Sequence, residues 1–143
     1  MHVTVSRDVN AAPNEVFAML VDVASWPRWN SNFREATPLA PGTPLGPGSQ
    51  ARLKPADGPE ATAEVATFEK DRRVVWKSKV MGMTIVITHA IAPAGAGTAV
   101  TFETAIEGGL GALMGGFMKT KLERALNEGI DGLKRAAEAG PVT

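Results

Sequence analysis

Alternation of apolar and polar residues between about residues 49 and 107 constrains the fold of this chain more than any other feature. Segments in which every second residue is apolar predict strands at about 49–54, 60–69, 72–80, 83–92 and 97–107, with a further strand at 2–9. Short turns at Asp71-Arg72 and at 94–97 imply antiparallel neighbours. The last three strands have one apolar and one polar face, so we expect another element to cover the apolar face.

The end of the chain supplies that cover. Apolar residues recur every three or four positions from Leu110 to Leu133, which predicts one long helix over residues 110–138. Such a helix is roughly 43 Å long at 1.5 Å per residue. Gly115 and Gly116 weaken its first turns, so we expect the firm helix to begin near Phe117.

Two short helices are predicted between the first strand and the main run of strands. Pro13 suits the first position of a helix, because its missing N–H would have no partner there. A second short helix is expected within 22–29, with Ser25 as its cap and Pro27 in its first turn.

Length and composition exclude several classes of protein. A chain of 143 residues fits one domain, 1–143. The absence of cysteine excludes disulfides and thiolate metal sites and suits a cytoplasmic location. We see no signal peptide and no apolar run long enough for stable membrane insertion. Fifteen basic and fifteen acidic residues cancel without a basic stripe, so we expect no nucleic-acid partner.

Two further segments have a structural and a functional interpretation. Prolines at every third position within 38–48 match ligands of proline-binding modules, but the glycines between them favour a stiff connection. The glycine-rich segment 109–115 lacks the spacing of a dinucleotide loop and is followed by too few residues for a βαβ unit. With Lys119 and Lys121 it could touch a membrane, although a packed helix start is favoured.

Several motifs give the chain a family resemblance. The opening helix Ala12–Phe17, the Asp22, Trp26-Pro27 and Trp29 signature, the Gly97-Thr98 turn, and Leu133-Lys134 with Glu138 resemble the START/SRPBCC superfamily, in its polyketide cyclase/dehydrase-like branch. The resemblance implies an α+β helix-grip fold. In that fold a curved antiparallel sheet of about seven strands wraps around a long C-terminal helix, with two short helices after the first strand. Members enclose an apolar cavity and bind lipids, hormones, polyketides or aromatic metabolites, and some catalyse cyclisation or dehydration.

Three functions follow as hypotheses. The first is binding of a small hydrophobic molecule, lipid-like, polyketide or aromatic, in a cavity between the sheet and the C-terminal helix. The second is a cyclase or dehydratase that uses His89 as its acid/base. The third is a protein-interaction or chaperone-regulator module. We expect no cofactor and no metal, and the sequence gives no support for a homodimer.

His89 is the one histidine expected on the apolar face of the sheet. An unperturbed pKa near working pH suits acid/base chemistry, but the lack of a visible carboxylate partner favours a core histidine bonded to a carbonyl or hydroxyl group. Glu64 would be its carboxylate partner if it faced inward, and the sequence leaves its direction open.

The remaining candidates form the expected wall of the cavity. Each could touch a ligand or serve in ordinary packing, and Ser78 and Thr104 could orient a ligand oxygen or bond to backbone. Trp26 is expected to be mainly structural, whereas Trp29 is expected near the cavity mouth. The predicted ligand-binding residues are Trp29, Trp76, Ser78, Met83, Ile85, Ile87, His89, Phe102, Thr104, Met114, Phe117 and Met118.

Overall fold

A computed structural model describes residues 1–108 and 115–140. Its helices are α1 (Pro13–Val21), α2 (Trp26–Trp29) and α3 (Gly115–Glu138), and a one-turn 3-10 helix at Val23–Ser25 joins the first two. Its strands are β1 (His2–Val9), β2 (Phe33–Pro38), β3 (Gln50–Pro55), β4 (Ala61–Glu69), β5 (Arg73–Val80), β6 (Met83–Ala94) and β7 (Gly97–Glu107). None of the helices in these two ranges is long and apolar enough to cross a membrane.

The strands form one seven-stranded sheet in the order β1-β7-β6-β5-β4-β3-β2, with every pair antiparallel. Helix α3 packs against β1 and β7 on one face, which we call the inner face. The predicted α+β class, the two short helices and the long C-terminal helix are confirmed. Strand β2 is the element whose position the alternation did not locate.

Strand register sets which side chains share the inner face. His89 lies opposite Val74 on one side and Phe102 on the other, and Ile87 likewise lies between Trp76 and Thr104. Glu64 pairs with Lys77, one position away from the inner-facing Val65–Trp76 pair, and its side chain is exposed. Glu64 therefore points to the outer face, and it is not a partner of His89.

Polar contacts hold α3 against β1, although these two elements lie near opposite ends of the sequence. The guanidinium group of Arg7 donates to Asp131 at 2.9 Å, to Asn127 at 2.7 Å and to the carbonyl oxygen of Ser6 at 2.8 Å. Lys134 donates to the carbonyl oxygen of Asp8 at 2.6 Å. These contacts set the position of the second half of α3 over the sheet.

Two glycines in α3 let α2 approach it closely. A Cβ atom at Gly132 would overlap the carbonyl oxygen of Trp29, and one at Gly129 would lie 2.9 Å from the side-chain nitrogen of Asn30. Any larger side chain would push the helices apart, because closely packed interiors cannot absorb an overlap with backbone. These two positions therefore place the Trp29 end of α2 against the helix.

The family-motif residues at the start of β7 and at the end of α3 make contacts that shape the fold. A Cβ at Gly97 would lie 2.5 Å from the carbonyl oxygen of Val9, and the hydroxyl group of Thr98 donates to the carbonyl oxygen of Ala11 at 2.7 Å. Glu138 accepts from the backbone N–H of Asn10 at 2.9 Å and from Lys134 at 2.8 Å, and these bonds lower its pKa. Both motifs hold the turn between β1 and α1.

The local predictions at the two short helices had different outcomes. Pro13 is the first residue of α1, as its missing N–H predicts. Ser25 precedes α2 but makes no side-chain cap, and its hydroxyl group instead donates to the carbonyl oxygen of Asp22 at 2.8 Å. Ser25 occupies the N-cap position of α2 as predicted, but its backbone is helical, with φ −91° and ψ −5°, instead of the extended geometry in which a cap side chain accepts from the helix N–H groups, so the predicted side-chain cap is absent.

The proline-rich segment connects β2 and β3. Backbone hydrogen bonds from Thr43 to Ala40 and from Ser49 to Gly46 close two turns within it. Leu45 packs against the hydrophobic core. Turns of this kind interrupt the extended geometry that a proline-rich ligand needs.

Candidate ligand-binding site

The inner face is closed at one end and open at the other. Val74, Val100 and Phe102 are buried to 2% exposure or less. Further along the same strands the apolar side chains are only half-buried, and they lie opposite one another in register. The described residues therefore leave this part of the sheet only partly covered, and we call the region over it the inner hollow; its sheet residues are Met83, Ile85, Ile87 and Ile106.

Aromatic rings border the inner hollow at its closed end. Trp26 lies edge-on to Trp76 and to His89, with ring centroids 5.5 Å and 5.6 Å away. Phe102 lies 4.4 Å from His89 and 6.3 Å from Trp29 between ring centroids. Edge-on and tilted pairs are the arrangement that aromatic rings prefer. We refer to these five residues as the aromatic cluster, since α2 and three strands bring them together.

Three nitrogen atoms of the aromatic cluster lack hydrogen-bond partners in the part of the chain that the structure describes. They are Nε1 of Trp29, Nε1 of Trp76 and Nδ1 of His89, and all three are shielded from solvent. Trp26 differs, because its Nε1 donates to the carbonyl oxygen of Leu20 at 3.1 Å. Leaving a buried polar group unpaired costs about 1–3 kcal/mol, so such atoms call for an explanation.

Burial also determines the charge state of His89. The side chain lies between Val74, Phe102 and Trp26, and desolvation lowers its pKa from 6.5 to about 4. The imidazole is therefore neutral at neutral pH. With Glu64 on the outer face, no carboxylate among the described residues is placed to raise this pKa. A base this weak is poorly matched to proton transfer near pH 7.

The two hydroxyl groups of the predicted wall differ in what they bond. Ser78 donates to the backbone carbonyl oxygen of Thr62 at 2.9 Å, so its hydrogen is already used within the sheet. Thr104 is buried next to Ile87, and the described residues give its hydroxyl group no hydrogen-bond partner. Thr104 is thus the hydroxyl group that remains able to bond a ligand.

The helix side of the predicted wall is only partly described. Met114 lies outside the described residues. Phe117 is 76% exposed, whereas Met118 is half-buried. Trp29 was expected near the mouth of the cavity, yet it is 7% exposed and packs on Phe102 in the core.

Sequence reasoning left some neighbours of the inner hollow out of the site. Ile106 lies opposite Ile85, and Leu122 is half-buried on the same helix as Met118. Trp26 was assigned a structural role, yet its ring contacts both Trp76 and His89. Ile106 and Leu122 continue the apolar spacing of their strand and helix, so the pattern that predicted the other wall residues also includes them.

Two open concavities lie at the other end of the strands. One, of about 580 Å³, lies between α1, the proline-rich segment and Phe68, and the second, of about 540 Å³, lies beside the β4–β5 turn. Neither is lined by a predicted site residue. They are shallow grooves at the surface, and they add nothing to the site around His89.

Comparisons with solved structures agree with the fold. The hypothetical protein jhp0584 from Helicobacter pylori superposes with a TM-score of 0.83 at 16% identity, covering 96% of this chain and 88% of that one. DynU16, a putative protein in the dynemicin biosynthetic locus, gives 0.75 at 20% identity, with 97% and 48% covered. The di-domain ARO/CYC StfQ from the steffimycin biosynthetic pathway gives 0.72 at 16% identity, with 95% and 44% covered. The chain thus spans about half the length of the last two proteins.

Identities this low establish the shared fold alone. A comparison with curated protein sequences gave no match. The family model for polyketide cyclase/dehydrase and lipid transport proteins matches residues 1–138, which include every element of the sheet and all three helices. The chain therefore belongs to the polyketide cyclase/dehydrase and lipid transport family.

Proposed function

We propose that this protein binds a small hydrophobic molecule in the inner hollow. The observation that carries the proposal is the contrast along β6, where Ile91 is buried in the core while Ile85 and Ile87 on the same face stay accessible. Apolar side chains left accessible on a face that a helix covers are an unfavourable arrangement unless something fills the space. Met118 and Leu122 on α3 are half-buried as well, which supports a space lined from both sides.

The chemistry of the hollow favours a ligand with aromatic rings. Trp76 and Phe102 present large apolar surfaces at its closed end, and planar molecules pack well against such rings. Two proteins of similar fold are named for biosynthetic pathways, the ARO/CYC StfQ for steffimycin and DynU16 for the dynemicin locus. The family model that matches this chain is that of polyketide cyclase/dehydrase and lipid transport proteins. Together these points support an aromatic or polyketide ligand ahead of a plain acyl chain.

Filling the hollow tests the proposal. Ile85→Trp should occupy the space and weaken binding of the neutral fluorescent dye N-phenyl-1-naphthylamine at least about tenfold, or 1.4 kcal/mol. Val86→Trp is the matched control, since Val86 is the next residue of β6 and points to the outer face. It should bind the dye like the unchanged protein. Equal binding by both variants, or no binding by the unchanged protein, would contradict the proposal.

Native mass spectrometry of the protein purified from cells offers an independent readout. A molecule carried in the hollow should appear as a mass above that of the chain and should be lost from Ile85→Trp but not from Val86→Trp. A mass retained by both variants would place the bound molecule elsewhere.

A cyclase is the second candidate, and the apolar lining of the hollow beside His89 favours it. A neutral imidazole accepts a proton, and a closed apolar site holds a flexible substrate in a reactive conformation away from water. The low pKa of His89 makes it a weak base, so we expect most of any rate enhancement to come from conformational restriction. His89→Phe should then slow cyclisation of a poly-β-ketone thioester by less than about tenfold, measured as product formation over time. A loss of a hundredfold or more would instead make His89 the proton carrier.

A further inference from the structure

We propose that the indole N–H groups of Trp29 and Trp76 form a donor subsite that takes a neutral acceptor oxygen of the ligand. The inference rests on the proposed function and narrows its ligand class. Such a subsite selects apolar molecules that carry a ketone, ether or phenol oxygen at the end that enters the hollow first. Hydrocarbons and plain acyl chains lack such an oxygen along their buried length.

The pairing state of the three tryptophans carries the inference. Trp26 stands in the same cluster and has its indole N–H bonded to the carbonyl oxygen of Leu20. The indole nitrogens of Trp29 and Trp76 are as buried as that of Trp26 but have no partner among the described residues. Tryptophan at these two positions fills the core but leaves an N–H donor unpaired, which is the costly part of its burial and calls for an acceptor.

Each indole ring has a neighbour on the strands that also line the inner hollow. Trp76 is opposite Ile87, whose side chain is still accessible. Trp29 packs on Phe102, which is two residues before Thr104 on the same strand face. Both nitrogens are shielded in this structure, so the proposed subsite requires the indole rings to turn toward the inner hollow when a ligand enters. Thr104 and the imidazole of His89 lie nearby as further polar groups.

The distribution of charged side chains on the inner face favours a ligand whose acceptor oxygen is neutral. Across β1 and β3–β7, the inner face carries a single charged side chain, Arg7. Each of its three guanidinium nitrogens already donates, to Asp131, Asn127 and Ser6. A carboxylate placed among the aromatic rings would lose its hydration with no counter-ion, which is far more costly than burying a ketone.

Fluorene and 9-fluorenone test the subsite, because these rigid tricyclic molecules differ by one carbonyl oxygen. Both are used to displace N-phenyl-1-naphthylamine from the unchanged protein and from the double variant Trp29→Phe/Trp76→Phe. The preference for fluorenone, taken as the ratio of the two dissociation constants, should fall about tenfold in the double variant, or 1.4 kcal/mol. An unchanged ratio overturns the inference while the proposed function stands.

Trp26→Phe is the matched control. It removes an indole N–H whose partner is the backbone, so it should lower stability but leave the fluorenone preference unchanged. A loss of preference in this variant equal to that in the double variant overturns the assignment to Trp29 and Trp76. Fluorene-9-carboxylate should bind at least about tenfold more weakly than fluorenone, and equal binding overturns the neutral class.

A spectroscopic readout covers the case in which the double variant does not fold. The chain has three tryptophans, so a ¹H–¹⁵N spectrum of the unchanged protein shows three indole resonances. Fluorenone should move the proton resonances of Trp29 and Trp76 downfield, as a new hydrogen bond does, and fluorene should not. Equal shifts with both molecules overturn the inference, and no displacement of dye by any of the three compounds contradicts the proposed function itself.

Discussion

The two halves of α3 share one apolar spacing but lie in different surroundings. In the second half, Ile130 and Leu133 are fully buried. In the first half, Phe117 is 76% exposed, and Met118 and Leu122 are only half-buried. Helical periodicity therefore tells which residues share a face, but it does not tell whether that face is packed.

The contacts of each half explain the difference. The second half is fixed by its close approach to α2 and by the bonds from Arg7 and Lys134. For the first half, the described residues show two polar links: an ion pair of 2.7 Å between Lys121 and Asp57 in the β3–β4 loop, and, at the end of this half, a hydrogen bond of 2.7 Å from Asn32 to the carbonyl oxygen of Ala125. One half thus works as scaffold, whereas the other forms an adaptable wall over the inner hollow.

The largest effect is expected where the packed half meets α2. Gly132→Ala places a methyl group against the carbonyl oxygen of Trp29 and should lower the free energy of unfolding by about 3 kcal/mol or more. Gly116→Ala is the matched change in the first half, where nothing lies within 4 Å of the new Cβ. It should raise stability by up to about 1 kcal/mol through helix propensity. Urea unfolding measures both, and equal effects would remove the distinction between the halves.

The next effect concerns the buried end of the inner face and depends on pH. His89 has a pKa of about 4 when folded and 6.5 as its ordinary value, so the unfolded chain binds the proton more strongly. The free energy of unfolding should be highest above pH 6.5. It should fall by about 3 kcal/mol in total as the pH drops toward 4 and His89 becomes protonated on unfolding.

The window between pH 6.5 and 4.5 isolates His89 from the acidic groups. Glu138 and Asp57 have pKa values lowered from ordinary values of 4.5 and 3.8, by Lys134 and Lys121 respectively, so they lose their contributions at lower pH. In the His89→Phe variant, the free energy of unfolding should depend little on pH in this window. Urea unfolding at a series of pH values measures this dependence. An unchanged slope in the variant would show that another group carries it.

A smaller effect is expected from the polar fastening of the packed half. Arg7→Gln removes the charged bonds to Asp131 and Asn127 and should cost about 1–3 kcal/mol. Arg52→Gln removes an exposed ion pair with Glu60 on the outer face and should cost less than about 1 kcal/mol. Thermal unfolding of the two variants gives the comparison, and a larger loss from Arg52→Gln would refute it.

The smallest effect is expected from the exposed ion pair of the first half. Lys121→Gln breaks an exposed pair with Asp57 and should change stability by no more than about 0.5 kcal/mol. Added salt should weaken this ion pair in the unchanged protein, because exposed charges are screened, and so reduce the difference in stability between the protein and the variant. A loss above about 1 kcal/mol by urea unfolding would mean that the first half is fixed as firmly as the second.

Much of the fold could be predicted because its signals are local. Alternation marks β5, β6 and β7, and Pro13 marks the start of α1. Strand β2 escaped because Phe33–Pro38 lacks a regular alternation and its pairing with β3 contains a register shift. A similar shift between Val65 and Thr67 left the direction of Glu64 open in the sequence.

Less of the site could be predicted, since pairing of polar atoms depends on neighbours far along the chain. The sequence places Ser78 and Thr104 on one face, but only the strand pairing shows that Ser78 is bonded to Thr62. The same holds for the indole nitrogens of Trp26, Trp29 and Trp76, whose chemistry is identical in the sequence. The sequence also gives no sign of the role of Gly129 and Gly132, since that role depends on α2 crossing the helix there.

The bonds of Arg7 also bear on how the chain reaches its fold. Arg7 and Asp131 are 124 positions apart, and β1 pairs with β7 at a similar separation. Contacts between distant residues slow folding, since a long loop must close before they form. Synthesis at about 5–20 residues per second leaves β1 without its partners for on the order of 10 s. Of the seven strands of this sheet, β1 is therefore synthesised first and is among the last to be paired.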